Sequence, residues 1–472
     1  MLFNSLVFLA FLGIYFLFWR YVKHHERARN LYIIVMSSIF YGWWNWWFLL
    51  LLYASGLTDF FAAWLMEIYP RHRKKLLILS IIMNLGILGF FKYSGFAMSN
   101  LAPLLEPFGI SVPVPSFLLP LGISFYTFQS MSYTIDVYYG NCKPTKSVVH
   151  FFASLILFPQ LVAGPILRAK DILPQLLPVP STTETQRFDG LRLIAHGYFK
   201  KVVIADNLAP IVGTSFVPWN MPADSSFWWV LTIMFAFQIY CDFSGYTDIA
   251  RGLAKWMGYE FQLNFNHPYS AASIRDFWSR WHISLSTWFR DYVYVPLGGS
   301  RKGTLRAHGN MWITMLLSGL WHGADWKFLI WGALHSAYLS FERVTGWPAL
   351  LLGSSEQPRF LRLARRAIVT SLVLVQVLIA WVFFRAESTS QALWILKTMF
   401  SFSSAPHASL EPYLPFLFIG IAYEFYMCVC PEIERMVPQR WSNWIQPAGV
   451  AAILAACVFL RGPGNAFIYF QF

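Results

Sequence analysis

Residues Leu2–Met66 read LFNSLVFLAFLGIYFLFW, RYVKHHERARN, LYIIVMSSIFYGWWNWWF and LLLLYASGLTDFFAAWLM, split here at Arg20, Leu31 and Leu49. Three apolar runs with one basic segment between the first two decide the fold class. A bilayer core of about 30 Å takes about 20 helical residues to cross, and each run comes close to that length. The first run lacks the basic start and the small-residue end of a cleaved leader, so it is expected to stay as the first helix. Further runs follow at Leu76–Phe91, Phe117–Tyr138, Phe227–Tyr246, Phe328–Phe341, Ile368–Phe384, Tyr413–Cys430 and Val450–Leu460. The pattern predicts an all-α polytopic membrane protein with about ten to twelve spans.

The whole composition agrees. The 472 residues are 57% hydrophobic and only 12% charged, too few charges to cover a water-facing surface. Mean hydropathy is +0.47. Soluble, disordered and fibrous classes are excluded. No long polar linker interrupts the runs, so residues 1–472 are expected to form one membrane domain. The net charge of +13 would suggest nucleic acid in a soluble protein, but here it predicts Lys- and Arg-rich cytoplasmic loops and no nucleic-acid partner. Basic clusters at Arg20–Arg29 and Arg71–Lys75 both reach the cytoplasm if the N-terminus is extracytoplasmic; a third lies at Arg359–Arg366. The stretch Ser94–Ser116, with Glu106 and no base, is expected to be a loop on the far side. Trp43–Trp47, WWNWW, fits an interfacial aromatic belt.

Two irregular stretches stand out. FPQLVAGPILR, Phe158–Arg168, sets Pro159, Gly164 and Pro165 in an apolar run. Broken backbone at membrane depth is tolerated only where protein buries it or where it lines a wet cavity, so a re-entrant or interfacial segment is expected. Phe188–Ile204 alternates apolar residues with Arg192, His196, Lys200 and Lys201, which predicts a helix along the cytoplasmic face after a loop at Ser181–Thr185. The five cysteines contain no C-x-x-C pair, and Cys428 and Cys430 point in different directions on a helix, so neither a disulfide framework nor a metal site is expected.

Ionisable residues inside apolar segments are costly and therefore mark function by default. In QIYCDFSGYTDIARGL, Gln238–Leu253, Asp248 and Arg251 are spaced to pair, while Asp242 meets no base at helical spacing and is a candidate for orienting a substrate. Ser273 and Asp276 form an S-x-x-D capping box, and Trp278, Trp281, Leu285 and Trp288 fall on one face of the predicted amphipathic helix that follows. Arg275, Asp276, Arg280 and Arg290 flank that face, and His282 sits beside Trp281. His322 lies in an apolar run between Gly319 and Gly323, where another helix or a ligand can come close. A neutral imidazole suits acid–base work near pH 7. Asp325, three residues on, and Ser318, four back, could each fix its tautomer. His267 and His335 fit loop and core positions. Soluble-type nucleophile, nucleotide and zinc-protease motifs are missing.

The strings DFWSRWHISLSTWFRDYVYVPLGG, LLSGLWHGADW, LPLGISFYTFQSMSYTIDVY, FPQLVAGPILR, DFSGYTDIARGL and the terminal FIYFQF resemble the membrane-bound O-acyltransferases, in their bacterial alginate O-acetyltransferase branch, with teichoic-acid D-alanyl transferase a more distant relative. The resemblance implies a ring of helices around a funnel or tunnel, in the inner membrane. It implies transfer from a cytoplasmic thioester, acetyl-CoA or a similar donor, to an exopolysaccharide outside, through periplasmic acetyl-transferring proteins and the polymer's synthesis complex. It carries the essential histidine onto His322, as general base or transient acyl carrier, and the second onto His282. Trp321, Trp281, Ser318, Asp325 and Asp242 are the supporting candidates. Where relatives carry Asn in WHGAN this chain has Asp325, and Pro431–Gln446 is shorter than in the alginate enzyme, which leaves alginate-type polymer and cellulose both open. The rivals are a transporter exporting polymer or acyl donor without chemistry and an O-acyltransferase acting on lipid, teichoic acid, peptidoglycan or protein.

Overall fold

The computed structural model describes residues 1–162, 164–217, 222–353, 357–436 and 438–468. Residues 469–472 of the terminal FIYFQF therefore lie outside the described residues. Every regular element among the described residues is helical. In chain order they are α1 Leu6–Val22, α2 Glu26–Gly42, α3 Trp47–Ile68, α4 Arg73–Leu88, α5 Ser94–Leu105, α6 Ile123–Tyr139 and α7 Val148–Leu155. Next come α8 Phe158–Leu161, α9 Ala169–Ile172, α10 Glu184–Tyr198, α11 Asp206–Ser215, α12 Ser225–Met257, α13 Ile274–Arg280 and α14 Ile283–Phe289. The series ends with α15 Thr304–His322, α16 Trp326–Thr345, α17 Trp347–Leu352, α18 Arg359–Arg385, α19 Thr389–Met399, α20 Leu414–Met436 and α21 Gln439–Phe459.

Among the described residues five stretches are long and apolar enough to cross a membrane: Trp47–Ile68, Pro70–Phe108, Ser225–Met257, Arg359–Arg385 and Glu411–Cys430. The second corrects the Ser94–Phe108 part of the expected far-side loop, while Gly109–Ser116 stays outside any helix. A π-helical turn at Gly89–Tyr93 joins α4 to α5, so Ser94–Leu105 is helix, and the apolar residues around Pro103 continue the run.

The chain packs as two compact units interleaved in sequence, Met1–Ile194 with Tyr246–Gln262, and Ala195–Gly245 with Leu263–Phe472. In the first unit, α1 starts at Ser5, whose hydroxyl accepts the Phe8 amide at 3.2 Å and satisfies one of the orphan donors of a helix start. Asp59 of α3 is buried and accepts hydrogen bonds from Ser80, Ser130, Asn84 and Thr134, which is how a carboxylate is tolerated there. Every described residue of FPQLVAGPILR is buried, as broken backbone requires. Arg29 belongs to no solvated loop. It is fully buried and donates to the carbonyls of Lys23 and Leu176. The tryptophans of WWNWW are exposed, with Trp46 and Trp47 stacked at 3.9 Å. Asp248 and Arg251 pair at 3.3 Å as their spacing predicts.

In the second unit, Lys200 and Lys201 correct the expected surface helix. The chain passes through a π-helical stretch at Phe199–Ala205 that turns both lysines inward. Lys201 meets Asp242 at 2.8 Å and Asp206 at 2.9 Å. Asp242 thus finds its base 41 residues back (242 − 201) rather than on its own helix, and it also accepts the Ile468 amide at 2.8 Å. Helices α15 and α16 form the hairpin that carries His322. A Cβ on Gly319 would lie 2.2 Å from the Phe328 carbonyl oxygen, and one on Gly332 would lie 2.5 Å from that of Met315. Only glycine lets these backbones approach so closely.

Candidate active site

The segment around His282 is not one helix. α13 begins as expected, with Ser273 Oγ accepting the Asp276 amide at 2.9 Å and Asp276 pairing with Arg280 at 2.7 Å. It stops at Arg280, and α14 starts afresh at Ile283, with His282 between them in the left-handed region at φ 41°. The stretch Asn264–Asn266 supplies the bonds that a break requires. The Asn266 amide donates to the Arg280 carbonyl at 2.9 Å, and the Asn264 carbonyl accepts the Ile283 amide at 2.9 Å. Asn264 Oδ1 accepts the Ser284 amide at 3.2 Å and the Ser284 hydroxyl at 2.9 Å. Of the four helix-face residues, Trp278 therefore falls on α13, Trp281 at the break, and Leu285 and Trp288 on α14, and Trp281 and Trp288 are buried rather than interfacial.

This break aims His282 inward, where it is fully buried. Its Nδ1 lies 3.2 Å from Asn264 Oδ1. That oxygen already accepts a backbone amide, which fixes the orientation of the Asn264 side chain, so Nδ1 must carry the proton and Nε2 the lone pair. Burial pushes the imidazole pKa down to about 3, so the ring is neutral at physiological pH. Phe243, Phe265 and Trp321 surround it, with ring centroids at 4.7, 6.2 and 6.1 Å.

His322 ends α15, buried and ringed by Trp321 at 5.0 Å, Trp331 at 5.0 Å and Phe384 at 5.2 Å. Trp321 thus stands against both histidines. Gly323 is not open to a ligand, since a Cβ there would meet the Phe328 ring at 2.0 Å. The glycines flanking His322 serve the neighbouring helix. Asp325 caps α16, its Oδ1 accepting the Lys327 amide at 2.9 Å. Trp281 is buried between Phe265 at 5.0 Å and Trp381 at 5.0 Å, one layer behind His282.

A cavity of about 710 Å³ opens in the same unit. Arg275, Arg290 and Arg343 line it, with Glu342 the single carboxylate of the lining among the described residues. Ser318 and Trp278 form part of its wall. Ser318 is one helical turn from His322, and the Trp278 ring lies 5.6 Å from Trp331, which touches His322. Sequence spacing missed Asn264, Trp331, Phe384 and Arg343, because each reaches the site from another element.

The arrangement offers two buried imidazoles that both contact one indole, His282 at 6.1 Å and His322 at 5.0 Å, beside a cavity with a cationic lining. Comparison with known proteins agrees with that chemistry. The model of the family described as MBOAT, membrane-bound O-acyltransferase, matches residues 145–346, a range that holds both histidines. The chain is 41% identical to the probable alginate O-acetylase AlgI of Pseudomonas aeruginosa over 86% of its own length and 76% of the relative's. It is 40% identical to the protein of that name from Pseudomonas putida over the full length of both. It is 35% identical to the peptidoglycan O-acetyltransferase of Helicobacter pylori, over 84% of this chain and 80% of that one. These relatives set aside a transporter without chemistry: the chain belongs to the membrane-bound O-acyltransferase family, in its alginate O-acetylase-like branch, and is an O-acyltransferase.

Proposed function

We propose that this enzyme takes acetyl groups from a cytoplasmic acetyl thioester such as acetyl-CoA and passes them across the inner membrane for O-acetylation of an exopolysaccharide, alginate-type or cellulose. Periplasmic acetyl-transferring proteins and the polymer's synthesis complex receive the group. The observation that carries the reading is that His322 and His282 both stand against Trp321, with the arginine-lined cavity one helical turn from His322.

Coenzyme A is rich in phosphate, and three arginines against one glutamate suit such a donor. A thioester carbonyl is already activated, so the protein must supply mainly positioning and proton transfer. His322 takes the proton of the attacking hydroxyl as its oxygen bonds to the carbonyl carbon. The C–S bond breaks, and the proton passes to the departing thiolate. If His322 carries the acetyl itself, an acetyl-imidazole forms first and the hydroxyl attacks that. The lone pair on His282 Nε2 favours accepting a hydrogen bond from the acceptor hydroxyl over polarising the carbonyl, which would need a donor.

Ten to twelve crossings around a tunnel require shorter helices such as α1, α2, α6, α15, α16 and α21 to join the five long ones. The basic loops at Arg20–Arg29 and Arg71–Lys75 then set an extracytoplasmic N-terminus. The relatives' names support a polysaccharide acceptor. The test is chemical analysis of the producing cell's exopolysaccharide with and without this protein. O-acetyl groups that vanish with the protein support the reading. Unchanged acetylation, or a label found in lipid or protein instead, contradicts it.

A further inference from the structure

Apart from the histidine pair, three side chains of metal-ligating chemistry converge in the second unit. His267 lies in the segment between α12 and α13, while Glu424 and Cys428 sit on α20. Those two are four residues apart, a little over one helical turn, so they share a face. His267 Nδ1 is 2.9 Å from Glu424 Oε1, and one ligand atom from each of the three residues lies within 4.8 Å of the others.

Local structure holds this trio in place. His267 has φ 49°, a left-handed conformation that a non-glycine residue keeps only when its surroundings impose it. The amide and the hydroxyl of Ser270 both donate to the His267 carbonyl, at 3.1 and 2.7 Å. Glu424 Oε2 accepts the Tyr240 hydroxyl at 3.1 Å, which leaves Oε1 turned towards the imidazole. Hydrogen bonds of this outer kind aim ligands at a metal.

We propose that His267, Glu424 and Cys428 form a zinc site, with a fourth position filled by water. An imidazole nitrogen, a carboxylate oxygen and a thiolate sulfur make a mixed donor set that zinc accepts and that calcium and magnesium, which take oxygen, do not. Tetrahedral ligands of zinc stand roughly 3.3–3.8 Å apart, from the usual Zn–N and Zn–S lengths. To reach that spacing the His267–Glu424 contact at 2.9 Å must open by about 0.4 Å (3.3 − 2.9), and a separation to Cys428 of up to 4.8 Å must close by at most about 1 Å (4.8 − 3.8). Zinc binding releases to solvent the thiol proton of Cys428 and any proton held between His267 and Glu424.

Cysteine spacing alone hides this site, because its only local signal is the Glu424 and Cys428 pair, and the histidine comes from 157 residues away (424 − 267). The site acts by position. Tyr240, which orients Glu424, lies with its ring 6.3 Å from Trp281 and 6.0 Å from Phe265, in the wall behind His282. Zinc would tie the Leu263–Ser273 segment, and so Asn264, to α20.

The test uses the full-length protein, purified in detergent without a histidine tag, loaded with zinc chloride and desalted before elemental analysis. A parallel sample takes cobalt(II), whose thiolate charge-transfer absorption reports a sulfur ligand. The wild type should keep one zinc per chain and show the cobalt–thiolate band. Cys428→Ser should lose the band and Glu424→Gln should lose the metal. Tyr240→Phe should keep the band and bind about 10–100-fold more weakly. A wild type that keeps no zinc overturns the proposal without reference to any variant and leaves an ion pair alone. Metal retained equally by Cys428→Ser and Glu424→Gln overturns it as well. The readout is metal content, so its failure leaves the acyltransferase reading untouched.

Discussion

Replacing Gly319 with alanine tests how His322 is held. The added Cβ would stand 2.2 Å from the Phe328 carbonyl oxygen, where real contacts are essentially never under 3.0 Å, so α15 and α16 must part by at least 0.8 Å (3.0 − 2.2). The obstacle is backbone and cannot rotate away. Overpacking of this kind costs about 1–3 kcal/mol of stability. Gly319 is three residues before His322 on the same helix, so the parting carries the imidazole with it. A misplacement of about 1 Å costs up to about 100-fold in rate. Gly309 on α15 is the control, since a Cβ there meets nothing within 4 Å. Acetyl transfer from labelled acetyl-CoA and the apparent Tm in detergent would be measured for both variants. Gly319→Ala should lose about tenfold or more in transfer and melt earlier, and Gly309→Ala should match the wild type or gain up to about 1 kcal/mol from helix propensity. Wild-type transfer and melting in Gly319→Ala would refute the reasoning.

Three more outcomes follow from the same geometry. His282 has a folded pKa near 3 against 6.5 when exposed, so the unfolded chain gains a proton that the folded one refuses as pH falls below 6.5. Stability should fall from this group as pH drops through 6.5, approaching about 1.4 kcal/mol per pH unit between about pH 5.5 and 4, and His282→Asn should flatten that slope; parallel curves would contradict it. Lys201→Met takes the cation from two buried carboxylates, Asp206 and Asp242, and should cost about 3–5 kcal/mol in denaturant unfolding, where a loss under about 1 would count against a buried triad. Arg343→Ala should raise KM for acetyl-CoA about tenfold with kcat little changed, as expected for one charge-assisted contact to the donor; an unaltered KM removes this arginine from donor binding.

Much of the candidate site was legible in the sequence because its signals are local. Apolar run length gave the membrane class, S-x-x-D gave the start of α13, and the histidine strings carried the family resemblance. Contacts between distant segments hid the rest. The spacing of Trp278, Trp281, Leu285 and Trp288 is a continuous helical stripe, and it is Asn264, 18 residues before His282 (282 − 264), that interrupts it by taking the first amides of α14. Asp242 read as an isolated acid because its base, Lys201, comes from a different helical element. Gly319 and Gly323 were compatible with either a helix or a ligand, and only the position of Phe328 decides for the helix. The far-side loop failed for another reason, since Pro103 and polar neighbours resemble a loop while the apolar residues around them sustain a helix.

The most direct measurement is acetyl transfer by His322→Ala, reconstituted in vesicles with labelled acetyl-CoA on the side of the basic loops. Transfer of label to an acceptor should disappear while the variant still inserts and elutes like the wild type. Full transfer by that variant would contradict a reaction centred on His322.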